Sequence, residues 1–219
     1  MAKITALRTI RGRQRLNVFL DGKCAFSLEA ELAAKEGLRT GQEISDGYVE
    51  TLASSDKSYR CLNAALRLLD YRPRSESELR ERLQRLGFDG DYIAPVLARL
   101  KEQGLIDDLA FARFWVENRE SFRPRSARMV RHELRQKGLS EESIAQALAD
   151  LDEEESAYRA GLRRGRRLTH LDEVSFRKKL IAYLLRRGFP YEVVNSVVER
   201  AWQELRAGGE NIYESEDGR

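Results

Sequence analysis

YRPRSESELRERLQRLGF at 71–88 and FRPRSARMVRHELRQKGL at 122–139 decide how this chain is read. Both carry Arg-Pro-Arg-Ser behind an aromatic residue, at an offset of 51 residues, and a glycine closes each stretch. The glycines recur a third time: Gly87, Gly138 and Gly188 stand 51 and 50 residues apart. Apolar residues align around them in columns. Leu79, Val130 and Leu180 lie eight positions before the glycine, and Leu83, Leu134 and Leu184 four before it. Phe88, Leu139 and Phe189 follow it directly. Ile93, Ile144 and Val194 come six after, and Leu97, Leu148 and Val198 ten after. Apolar residues at those spacings predict two amphipathic helices flanking each glycine. The glycine itself supplies the left-handed residue that ends the first of them. A period near 50 residues predicts stacked helical units rather than a single globular enzyme fold.

Local signals fill in the unit. Ser75 followed by Glu78 reads as a capping box, so a helix is expected from about Glu76. Ser140 is expected to cap the last helix of the second unit, and Asp89 or Asp91 that of the first. Pro73 and Pro124 disfavour helix in the residue before them. They therefore separate this pair from an earlier helix, expected at Tyr59–Asp70, Ala110–Glu120 and Glu154–Leu168 in the three units. The repeat is three helices, used three times.

Residues 3–28 follow another pattern. Leu16–Leu20 and Lys23–Leu28 flank Asp21-Gly22, a type I′ hairpin signal, and Ile4–Ile10 can add a third strand. A short helix is expected at Glu29–Glu36, ended by Gly37, and another at 46–57. The fold class expected is mainly α, an elongated tandem array of three three-helix repeats behind a small β-containing subdomain. The divisions are a module at 1–57, repeats at 58–108, 109–151 and 152–207, and an acidic tail at 208–219 expected to be disordered.

Composition narrows the function classes. A chain of 219 residues buries roughly 70% of its unfolded surface, enough for a stable core. No run of about 18 apolar residues is present, which argues against a membrane span, and the N-terminus lacks the apolar stretch of a secretory signal. Cys24 and Cys61 read as buried thiols in a reducing cytoplasm rather than a disulfide. Neither His132 nor His170 has matched ligand spacing, so no metal is expected. No Walker A, G-x-S-x-G or G-x-G-x-x-G string occurs. Gly161 and Gly165 lie in an arginine-rich helix rather than after a strand, and Asp107-Asp108 reads as a helix cap rather than a catalytic pair. The expectation is a protein that is not an enzyme, with no cofactor and no small-molecule substrate.

Net charge is only +3, yet it is uneven. Residues 119–137 hold seven basic side chains against two acids, and 159–187 hold ten against two. Arg128, Arg131 and Arg135 share a helix face, behind Arg123 and Arg125. Arg159, Arg163, Arg166 and Arg167 form a second stripe, continued by Arg177, Lys178 and Lys179. Such ratios leave most of these cations without an acid close in sequence, and unpaired charge of one sign suits an anionic partner. The alternative is a solvated face supported by local pairs such as Glu81 to Arg85, worth ~0.2–0.5 kcal/mol each. Phe111, Phe114, Trp115 and Phe122 could stack bases, but their helical spacing favours packing between helices. Tyr71 and Phe122, beside Pro73 and Pro124, read as structural staples.

The run Gly104-Leu-Ile-Asp-Asp-Leu-Ala-Phe-Ala112, continued by Trp115, Val116, Arg119, Arg125 and Glu133-Leu-Arg-Gln-Lys-Gly-Leu139, resembles the central signature of the RecX proteins. The resemblance covers about residues 58–205, and the β-containing piece resembles an extension that some members carry. Many members have Gly-Pro where this chain has Arg123-Pro124. The resemblance implies a non-enzymatic regulator that binds RecA filaments on single-stranded DNA in the cytoplasm. By occupying the filament groove it would limit ATP hydrolysis, strand exchange and co-protease activity. The twelve basic residues from Arg123 to Lys179 named above are then candidates for contact with RecA or DNA, with weak sequence-blind nucleic-acid binding beside it. A direct DNA-binding regulator built from helix-turn-helix-like units and a helical scaffold for another protein are the alternatives.

Overall fold

The computed structural model describes residues 1–10 and 14–213. Residues 214–219 of the expected acidic tail lie outside the described residues. By internal contacts the chain divides into two compact units, Met1–Ile106 and Asp107–Arg219.

The first unit opens with an antiparallel sheet of four strands in the order β3-β2-β1-β4. Strands β1 (Ala2–Thr9), β2 (Arg15–Leu20) and β3 (Lys23–Glu29) form the expected three. Asp21 at φ 48° and Gly22 at φ 82° both take left-handed backbone, as the type I′ turn between β2 and β3 requires. Helix α1 (Ala30–Lys35) follows. A two-residue strand β4 (Glu43–Ile44), which sequence reading did not anticipate, pairs with Ala2 and Lys3. Ile4, Val18, Leu28, Leu32 and Leu52 are fully or almost fully buried in the core of this module.

The largest difference from the sequence reading is helix α2, which runs unbroken from Asp46 to Tyr71 for 26 residues. The separate helices expected at 46–57 and Tyr59–Asp70 are one. Ser54, Ser55 and Asp56 look like polar punctuation, but nothing there prevents helix, because neither glycine nor proline intervenes. Asp56 is only 5% exposed and serves tertiary structure instead. Its carboxylate accepts from Arg15 Nη2 at 3.0 Å and from the Glu29 backbone N–H at 2.8 Å. Arg15 also pairs with Glu29 at 3.1 Å. Leu52 joins the β module core, whereas Cys61 and Ala65 join the next one. A single helix thus serves two cores.

That next core is the first repeat, closed by α3 (Glu76–Arg85) and α4 (Gly90–Glu102). The second unit holds α5 (Asp108–Phe122), α6 (Ala127–Gln136) and α7 (Glu141–Leu148), then α8 (Glu153–Gly165), α9 (Glu173–Arg186) and α10 (Tyr191–Tyr213). Each triplet has its own apolar cluster. Ser75, Ser126 and Ser140 Oγ accept from the N–H three residues on, and Asp107, Asp152 and Asp172 carboxylates cap their helices likewise. Asp89 stands at the N-cap of α4 without a side-chain hydrogen bond. Every aligned apolar column is buried except at Phe88, which is partly buried against its cluster.

The three glycines make the same turn. Gly87, Gly138 and Gly188 have φ of 86°, 77° and 84°. Their N–H groups donate to Gln84, Arg135 and Leu185 carbonyls at 2.9 Å. The following residues Phe88, Leu139 and Phe189 donate to Leu83, Leu134 and Leu184 carbonyls at 3.2, 3.3 and 3.4 Å. This is the Schellman pattern with its accompanying apolar contact. Tyr71 and Phe122 depart from expectation: they are 84% and 70% exposed and staple nothing. Cys61 is buried and its thiol is pushed up by that burial, whereas Cys24 is exposed rather than buried, and both are free thiols.

Replacing Asp56 with Ala strands the Arg15 guanidinium and the Glu29 N–H, so a loss of about 2–3 kcal/mol is expected. Thermal unfolding should then fall by roughly 5–10 °C. An unchanged midpoint would show that this anchor contributes nothing.

Candidate functional site

The second unit carries all twelve expected basic residues, and the fold sorts them into two groups. Its organising acid is Glu133 on α6, with a side chain only 12% exposed. One oxygen accepts from Trp115 Nε1 at 2.7 Å and Arg119 Nε at 2.6 Å, and the other accepts from Arg125 Nη1 at 2.6 Å. Arg119 and Lys137 lie over the Trp115 ring, at 4.5 and 4.1 Å from its centroid. Residues of the central signature therefore clamp α5, α6 and the 123–126 segment together. Of the aromatic group, Phe111 is buried and its ring lies 5.9 Å from that of Trp115, while Phe122 is exposed.

A second set of bonds joins the second and third repeats. The Ser126 N–H donates to the Arg187 carbonyl at 3.1 Å, and Arg187 Nη1 donates to the Pro124 carbonyl at 2.8 Å. Arg163 donates to the Phe122 and Ser121 carbonyls at 3.0 and 3.1 Å, satisfying acceptors left open at the end of α5. The Ala127 N–H donates to Glu153 at 3.0 Å, and buried Ser156 reaches Glu120. A Cβ on Gly188 would stand 2.6 Å from Met129 Cγ and Ser126 Oγ, so only glycine fits there. Gly161 and Gly165 play a similar packing role, because a Cβ on either would approach Val197 or Leu205 of α10 to within 3 Å.

Four candidates are bound to carboxylates. Arg125 holds Glu133, Arg135 holds Glu141, Arg159 holds Glu120, and Arg177 holds both Glu173 and Glu199. The hydrogen bonds from Arg135 and Arg177 keep the Glu141 and Glu199 carboxyls below their ordinary range. Arg163 is taken up by carbonyls. The sequence reading that most of these cations lack an acid is corrected for those four. Sequence distance hides two of these acids, since Glu120 lies 39 residues from Arg159 and Glu199 sits on a different helix from Arg177. Glu133, Glu141 and Glu173 are close in sequence, but the ratio of charges alone does not show that they are engaged. Arg123, Arg128, Arg131, Arg166, Arg167, Lys178 and Lys179 form no ion pair among the described residues.

Sequence reasoning passed over three neighbours. Tyr183, Arg186 and Arg187 of the α9 end join Arg123 and Arg125 around a cleft of about 340 Å3. Arg186 and Arg187 were counted in the basic stretch, but only the joint between the repeats brings them beside Arg123. Among the described residues no group of three or more His, Cys, Asp or Glu is placed to hold a metal ion. No described helix is long and apolar enough to cross a membrane.

Three tandem three-helix units behind a small antiparallel sheet define an α-helical repeat protein. Residues 61–100, 107–148 and 152–198 match, in order, the descriptions "RecX, first three-helix domain", "second" and "third", and 2–45 match "Regulatory protein RecX N-terminal domain". The chain is 31% identical over 207 residues to the regulatory protein RecX of Clostridium botulinum (strain Eklund 17B / Type B), covering 92% of this chain and 97% of that one. It is 30% identical over 206 residues to that of Clostridium perfringens (strain SM101 / Type A), covering 91% and 96%. A crystal structure of regulatory protein RecX superposes with a TM-score of 0.66 at 27% identity, over 91% of this chain and all of that one. This chain belongs to the RecX family of regulatory proteins.

Glu133→Gln keeps the size of the clamp but removes the charge that Arg119 and Arg125 share. A loss of about 2–3 kcal/mol is expected, read as a lower unfolding midpoint and altered Trp115 fluorescence. Wild-type stability and emission in this variant would contradict the clamp.

Proposed function

We propose that this protein regulates RecA by binding RecA filaments on single-stranded DNA and restraining their ATPase, recombinase and co-protease activities. Membership of a family of regulatory proteins supports the reading. The observation that carries it is the division among the cations of the second unit. Of the twelve candidates, five are taken up by carboxylates or helix-end carbonyls, and seven hold no ion pair among the described residues. Uncompensated charge of one sign costs self-repulsion until an anionic partner meets it. A filament offers protein carboxylates and a phosphate backbone together. The protein acts by binding and occlusion rather than by catalysis, in the cytoplasm where RecA and DNA meet.

An ATPase titration against preformed RecA filaments on single-stranded DNA tests this. The wild type should lower the hydrolysis rate. Arg128→Glu combined with Arg131→Glu touches no internal ion pair, so helical content should stay constant while about tenfold more protein is needed for half-inhibition. Absence of inhibition by the wild type would overturn the reading. Full potency in the folded double variant would overturn the part assigned to α6. Sequence-dependent duplex binding without RecA would favour a direct DNA-binding regulator instead.

A further inference from the structure

The cleft between the 123–126 segment and the end of α9 is lined by Arg123, Arg125, Tyr183, Arg186 and Arg187, four cations with no acid among them. Two of the guanidinium groups are fixed in place. Arg125 is held through Nη1 by Glu133, and Arg187 is held through Nη1 by the Pro124 carbonyl with its guanidinium 4.6 Å from the centre of the Tyr183 ring. Each contact uses one of the five N–H donors of an arginine fork, so donors remain. Arg123 and Arg186 are exposed and form no ion pair among the described residues. The carboxylate that holds Arg125, Glu133, is already shared with Arg119.

Fixed like charges cannot relieve their repulsion by swinging apart, so the cleft is built to be neutralised from outside. The number and arrangement of forks indicate by what. A carboxylate or a backbone phosphodiester offers two charged oxygens and a single charge. A phosphomonoester offers three strong acceptors and −1.5 to −2 charges at neutral pH, roughly. Planar forks approaching from two separate chain segments match the larger, doubly charged group. Phe122, exposed and next to Arg123 in the chain, adds an aromatic face of the kind on which bases stack.

We propose that this cleft is a phosphomonoester site, which takes the terminal phosphate of a nucleic-acid strand or nucleotide. The proposal stands apart from the regulation of RecA, because none of its tests contains RecA. Failure here leaves the ATPase reading intact, and the reverse also holds.

The test uses the full chain and a 3′-labelled single-stranded oligonucleotide with either a 5′-phosphate or a 5′-hydroxyl, followed by fluorescence anisotropy. The phosphorylated strand should bind about tenfold more tightly. That preference should shrink between pH 7.5 and 5.5, as the phosphate passes through its second ionisation near pH 6, roughly. Arg123→Ala with Arg186→Ala removes no internal ion pair and should abolish the preference. Lys23→Ala with Arg85→Ala, which removes two charges from the first unit, should preserve it. Competition by AMP far beyond inorganic phosphate identifies a nucleotide-borne phosphate, and equal competition identifies the phosphate alone; both support the site. Equal affinity for the two strands overturns the proposal, as does a preference that survives Arg123→Ala with Arg186→Ala. An acidic peptide that competes as well as AMP would assign the cleft to protein carboxylates and overturn it too.

Discussion

The structure depends on one turn, made three times. At Gly87, Gly138 and Gly188 the chain enters left-handed backbone, which costs an ordinary L-residue about 1–2 kcal/mol. The turn ends the middle helix and brings the residue after the glycine back to the helix's buried leucine (Leu83, Leu134 or Leu184), so both flanking helices share one core. At Gly188 the constraint is double, because the approach of Met129 and Ser126 leaves no space for a side chain. There the turn that closes the third repeat also seats the second repeat upon it. The Ser126 N–H to Arg187 carbonyl bond and the Arg187 to Pro124 bond are made at the same point. The placement of the cleft arginines follows from that seating.

Within the second unit, structural and surplus cations become distinguishable. Arg119, Arg125 and Arg163 each complete an acceptor that would otherwise be left open, on Glu133 or at the end of α5. Such arginines hold helices together, and changing them damages the fold before any partner is involved. Arg128, Arg166 and Arg167 are exposed and hold no acid among the described residues.

Much of this was legible in the sequence wherever the controlling interaction is local. Aligned apolar columns, serine and aspartate caps and the Asp21-Gly22 turn act over a few residues, and the structure places them as read. Helix α2 is continuous because neither glycine nor proline interrupts it between 54 and 71; what the sequence hides is that polar Asp56 is buried, held by Arg15 and the Glu29 N–H, partners far away in sequence. The arginine stripes look unpaired in sequence in part because Glu120 and Glu199 arrive from other helices. The place of Tyr71 and Phe122 beside proline suggests staples, yet both are exposed to solvent. Arg186 and Arg187 carried no distinguishing signal, because the fold alone brings them to Arg123.

Hydrogen–deuterium exchange of the full chain, alone and with RecA filaments on single-stranded DNA, tests the central claim most directly. Slowed exchange should appear in α6, at 123–126 and from the end of α8 into α9, where the surplus cations lie, while the strands of the first unit exchange as in the free protein. Protection confined to the β module, or no protection anywhere under saturating filament, would contradict the account.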